Sequence, residues 1–88
     1  MGLFGGSDKK LKTQLEVGRM ALGLPSPLGE EAKLNRIVNQ IHQAAQPVVA
    51  KLGKPEALRI IDAAREPEKT DDQTALWREM LDTVAAHL

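Results

Sequence analysis

The sequence predicts an all-α fold, a compact bundle of four helices in a single domain. Three observations carry that expectation. More than half of the 88 residues are Ala, Leu, Glu, Lys, Gln, Arg or Met, the strong helix formers. Val, Ile, Thr, Phe and Trp together make up fewer than one residue in five, so strands would lack their usual side chains. Apolar residues recur at three- and four-residue spacing in four stretches, and Gly and Pro punctuate the joints between them.

The first six residues, MGLFGG, hold three glycines and are expected to form a flexible N-terminal arm (1–6) ahead of the helical domain (7–88). Ser7 is a natural N-cap for a first helix near 8–22, with Asp8 suited to its positive end. Leu11, Leu15, Gly18 and Leu22 form the apolar stripe, which Val17 and Ala21 widen. Asp8, Lys12, Glu16 and Arg19 make a ladder of alternating charge on the other side. Gly18 weakens the helix by about 1 kcal/mol relative to Ala, and its place on the stripe points to close approach of another helix.

Gly23 and Pro25 end this helix, Ser26 can cap the next, and Pro27 suits a first helical turn. A second helix near 28–52 follows, with Leu34, Ile37, Val38, Ile41, Ala45, Val48, Val49 and Leu52 on one arc. Pro47 interrupts it, but the stripe stays in register across the proline, which fits one helix kinked at Pro47. Gly53 closes it. A short helix near 55–65 places Ala57, Leu58, Ile60, Ile61 and Ala64 inward. Thr70 with Gln73 resembles a capping box for a last helix near 71–87, whose face is Leu76, Trp77, Met80, Leu81, Val84 and Leu88.

Several chemistries are argued against by absence. With no cysteine, disulfides, thiol catalysis and zinc–thiolate sites are out, and a reducing, cytoplasmic setting is the simpler expectation. Twelve basic and twelve acidic residues leave no net field toward nucleic acid or an acidic membrane. Phe4 and Trp77 are the only aromatics, too few for base-stacking platforms. The longest apolar run, Pro47 to Ala50, is far short of the ~20 residues a membrane span requires. Lys9, Lys10 and Lys12 follow the apolar start instead of preceding it, unlike a secretory signal.

Catalytic patterns are equally thin. His42 and His87 lack the spacing of a ligand pair. Glu30–Glu31 and Asp71–Asp72 fall at helix starts, where the dipole explains them. Ser7 and Ser26 are the only serines, both read as caps, and no phosphate-binding glycine loop is present. The chain is therefore read as non-catalytic, with no cofactor or metal implied.

The most unusual feature is an uncharged polar stripe, Asn35, Asn39, His42 and Gln46, beside the apolar arc of the long helix. Amides give directional hydrogen bonds without the desolvation cost of a charge, as a partner-facing surface requires. The leading expectation is thus a small protein–protein interaction module, an adaptor or regulator, whose partner is either another protein or a second copy of itself. An alternative makes 45–64 a degenerate helix-turn-helix that offers Lys54, Arg59 and Arg65 to DNA, with Glu56, Asp62 and Glu66 opposing phosphate contact. A further alternative is peripheral membrane contact through Leu3 and Phe4. Charge is also uneven: residues 1–65 are net basic and 66–88 net acidic.

Overall fold

In a computed structural model, which describes residues 2–88 and side chains from Gly6 onward, the chain forms four helices: α1 Gly2–Leu22, α2 Glu30–Leu52, α3 Lys54–Ala63 and α4 Asp72–Ala86. No strand occurs among the described residues. The predicted helices are all present, with differences at their ends. Helix α1 runs upstream of Ser7 to Gly2, so Ser7 lies inside the helix and is not its cap. The expectations for Leu3 and Phe4 concern side chains outside the described residues.

Ser26 does not cap α2 either. Ser26 to Gly29 make a turn, closed by the Gly29 amide donating to the Ser26 carbonyl (3.3 Å), and Gly29 with φ 98° is the N-cap. Pro27 therefore sits in the turn, outside the helix. Helix α2 runs unbroken through Pro47. A single residue, Gly53 at φ 93°, separates α2 from α3, a backbone angle that disfavours any side chain. The cap of α4 is Asp71, one residue later than the Thr70 box predicts: its carboxylate accepts from the Thr74 amide at 2.8 Å and from the Thr74 hydroxyl.

The core joins the four stripes. Leu11, Leu15 and Leu22 of α1, Ile37, Ile41, Ala45 and Val48 of α2, Ala57, Ile60 and Ile61 of α3, and Trp77, Met80, Leu81 and Val84 of α4 are all buried. At Gly18 side chains of α2 lie close against the α1 backbone. A Cβ there would stand 3.0 Å from Ile37 Cγ2, 3.3 Å from Ile41 Cδ1 and 3.5 Å from Trp77. The expected close approach is thus real, and its partners are two isoleucines of α2 and the indole of α4.

Three predicted stripe residues fall outside the core, Leu58 among them as a half-buried side chain that does not pack against it. Val17 and Leu52 are exposed by 43% and 51%. Val17 lies well round α1 from Leu15 and Leu22, and Leu52 lies past the last packed turn of α2.

Candidate interaction surface

The best-developed polar cluster is one the sequence reading left among solvated charges. Arg19 of α1 reaches the α3–α4 loop and the start of α4. Its Nε donates to Glu66 Oε2 (2.8 Å), one Nη to Gln73 Oε1 (2.8 Å) and the other to the Thr74 hydroxyl (3.3 Å). Thr74, fully buried, donates a hydrogen bond from its hydroxyl to the Asp71 carboxylate. Lys69 Nζ lies 3.1 Å from the buried Glu66 Oε1, close enough for an ion pair but out of line for a hydrogen bond. Burial pushes the Glu66 carboxyl up, but Lys69 and Arg19 more than offset it and hold the group below the usual carboxylate range.

Helix α4 ties the same loop from within. Trp77 Nε1 donates to the Ala64 carbonyl at 2.7 Å, and Arg78 donates to the carbonyls of Arg65, Glu66 and Lys69. These bonds satisfy the carbonyls of Ala64, the C-cap of α3, and of the loop after it, around Glu66 at φ 55°, a left-handed angle unusual for a side-chain-bearing residue. This cluster is a structural clasp between α1, the loop and α4. No local spacing signals it, because Arg19 and Gln73 are 54 residues apart.

The predicted polar stripe divides in two. Asn35 and Asn39 are exposed on α2. His42, half-buried, and Gln46 turn toward the end of α4: His42 Nε2 is 3.1 Å from the His87 carbonyl, and Gln46 Nε2 is 3.1 Å from His42 Nε2. One ring nitrogen cannot donate to the carbonyl and accept from the amide at once, so the His42 tautomer selects between them. His42 and His87 are brought together through this backbone carbonyl, while the His87 ring stands 2.7 Å from the Thr83 carbonyl.

The opposite flank of α2 faces α1. Gln14 donates to Gln40 at 3.3 Å, and beside this bond lies an open groove of about 660 Å³. Lys9, Lys10, Thr13, Gln43, Ala44 and Pro47 are among its lining residues.

The residues expected to meet DNA are scattered in their commitments. Lys54 is exposed at the first turn of α3. Arg59 holds the Glu56 carboxylate with two nitrogens, Nη2 at 3.0 Å from Oε2, and the pair lowers the carboxyl and raises the guanidinium. Arg65 is bound to Asp62 at 2.9 Å and to Asp82. The one-residue joint at Gly53 is shorter than the three- or four-residue turn of a helix-turn-helix.

The fold also leaves several large apolar side chains uncovered. Val17 (43% exposed), Met20 (67%) and Leu24 (61%) recur at three and four residues along the outer side of α1. Leu24 keeps this register because its amide still donates to the Ala21 carbonyl beyond the last helical residue (3.1 Å). Leu28 (79%) flanks Leu24 across the small hollow of the α1–α2 loop. The spacing of Val17, Met20 and Leu24 was readable in the sequence as a second stripe; the stronger stripe beside it absorbed Val17.

No known protein family matches the chain, and no curated protein and no solved structure matches it. Among the described residues no helix is long and apolar enough to cross a membrane.

Proposed function

We propose that this protein is a small, non-catalytic protein–protein interaction module that docks through the apolar strip Val17, Met20, Leu24 and Leu28. One observation carries the reading: among the described residues, four of the five exposed large apolar side chains line up along α1 and the loop after it. Burial of apolar surface stabilises a contact by about 25 cal/mol per Å², and grouped exposed apolar residues mark contact surfaces where isolated ones do not. Met20 adds a flexible side chain that fits varied partner surfaces. The exposed amides Asn35 and Asn39 belong to the same reading as a polar surface on the neighbouring helix, whereas His42 and Gln46 are engaged at the end of α4.

A non-catalytic role is supported by where the titratable pairs stand. Glu30 and Glu31 occupy the first turn of α2, and Asp71 caps α4 with Asp72 behind it. The DNA-binding alternative is disfavoured by the carboxylates already holding Arg59 and Arg65. A variant with Val17→Ser, Met20→Ser and Leu24→Ser tests the proposal. It should keep the helical circular dichroism of the parent and lose the proteins that the parent captures at stoichiometric yield. Identical capture by both proteins, or none by the parent, refutes it. A salt-dependent gel shift with duplex DNA would instead favour the helix-turn-helix reading.

A further inference from the structure

Two open hollows run along the seam between α1 and α2. The larger, about 660 Å³, lies beside Lys9, Lys10 and Thr13 of α1 and Gln43 and Pro47 of α2. The smaller, about 320 Å³, has Leu24 and Leu28 on its loop side and Arg36 on its α2 side. Gln40 lines both, so the two meet at that side chain. Among the described residues no carboxylate lines either hollow.

The acids of these helices stand elsewhere. Asp8 and Glu16 face α3, where Asp8 acts on Arg59 and Glu16 lines a hollow of mixed charge with Lys12 and Arg59. Glu31 lines neither part of the seam. Of the seam's cations, Lys33 is held by the carbonyls of Leu22 and Leu24 and by Glu30. Lys9, Lys10 and Arg36 are exposed and enter none of the ion pairs among the described side chains.

We propose that this seam binds an extended, acidic peptide segment of a partner protein. Charge selects the sign of the occupant: Lys9 and Lys10 at one end and Arg36 toward the other attract carboxylates, and no anion on the walls repels them. Hydrogen bonding selects its class. Gln14 donates to Gln40 with its amide nitrogen, leaving an acceptor oxygen on Gln14 and a donor nitrogen on Gln40. Pro47 has no amide proton to give the Gln43 carbonyl, leaving another acceptor on the seam. Donors and acceptors together suit an extended backbone, whose N–H and C=O groups are free, where a helix has already paired its own. No aromatic side chain lines the seam to stack a nucleic-acid base, since Trp77 is buried in the core. Along α2 the seam runs from Arg36 to Pro47, about 16 Å of helix, which about five residues of extended chain span.

Fluorescence anisotropy of the full chain with a labelled peptide of alternating glutamate and alanine, about seven residues long to cover that span, tests this. The parent should bind it at low ionic strength, release it as salt rises, and ignore the glutamine–alanine counterpart. Lys9→Gln, Lys10→Gln and Arg36→Gln should each weaken binding about two- to fivefold, the range for an exposed ion pair. Lys51→Gln with Lys54→Gln removes exposed charge away from the seam and should change nothing. Pro47→Ala returns an amide proton to the Gln43 carbonyl, so it should weaken the peptide with every charge still in place. Val17→Ser with Met20→Ser alters side chains that line neither hollow and should bind like the parent, which separates this site from the apolar strip. The proposal is overturned by a parent that ignores the peptide, by seam variants, Pro47→Ala included, that bind it unchanged, or by an equal loss in the Lys51 and Lys54 variant. Tighter binding of a single-stranded oligonucleotide of equal charge would overturn it in favour of nucleic acid. Loss of the peptide in the Val17 and Met20 variant would place it on the strip and overturn the proposal equally.

Discussion

Gly18→Ala provides the sharpest check on the packing, because two effects of similar size oppose each other and the geometry determines which wins. Alanine in a helix interior is favoured over glycine by about 1 kcal/mol. At position 18 the added methyl would lie 3.0 Å from Ile37 Cγ2 and 3.3 Å from Ile41 Cδ1, where carbon atoms prefer about 3.5–4.0 Å. Ile41 Cδ1 ends a side chain and can rotate aside. Ile37 Cγ2 is bonded directly to a branched Cβ in a buried helix position, so it moves only if χ1 leaves its well or α1 and α2 part. Overpacking of that kind costs about 1–3 kcal/mol. The net expectation is destabilisation of up to about 2 kcal/mol.

Gly6→Ala supplies the control within the same helix. A Cβ there meets nothing within 4 Å, so the substitution should be neutral or stabilising by up to about 1 kcal/mol. For a domain of this size 1 kcal/mol corresponds to a shift of about 4–8 °C in melting midpoint. Thermal and urea unfolding followed by circular dichroism would place the two variants on opposite sides of the parent. A Gly18→Ala protein that melts at or above the parent, in step with Gly6→Ala, would falsify the close approach of α1 and α2 at this point.

Three further outcomes follow from the clasp around the α3–α4 loop. Trp77→Phe keeps most of the ring volume but strands the Ala64 carbonyl, and urea unfolding should show a loss of about 1–3 kcal/mol; an unchanged midpoint would mean the indole bond contributes nothing. Thr74→Val is nearly isosteric and deprives both Asp71 and Arg19 of the hydroxyl between them, so a loss of similar size, about 1–3 kcal/mol, is expected in the same assay. Asp71 is held below its ordinary pKa by the Thr74 amide and hydroxyl, so its contribution is present above the unfolded carboxylate pKa and disappears as pH falls through the lower folded value. Asp71→Ala should therefore destabilise the protein at neutral pH and by progressively less in acid, and a stability difference that does not change with pH would refute that assignment.

Local pattern was enough for the four helices, since each needs only propensity, a three-and-four stripe and a nearby breaker. Leu11, Ile41, Ile61 and Leu81 could be assigned to the core from spacing alone, because each lies on the most strongly apolar face of its helix. The end of α2 at Gly53 was legible for the same reason, as the signal and the structure lie within one turn of each other. Helix starts were less so: Ser7, Ser26 and Thr70 are all competent caps, but α1 extends past the first, the Pro27 turn detaches the second, and Asp71 displaces the third through its bonds to Thr74.

Contacts between distant segments depended on how the helices pack. Arg19 reads as one rung of a charge ladder until α1 is set against the loop at Glu66 and the start of α4, where its guanidinium becomes the centre of a clasp. Val17 reads as core until Gly18 draws Ile37 against the adjacent face and leaves Val17 on the outer side with Met20 and Leu24. Asn35, Asn39, His42 and Gln46 read as one stripe, and only the position of the α4 carbonyl at His87 separates the two engaged residues from the two exposed ones. Periodicity specifies which side chains share a face, because that follows from the rotation per residue along one helix. Which face is covered, and by what, depends on where three other helices lie, and that geometry is set by side-chain packing between residues far apart in the chain.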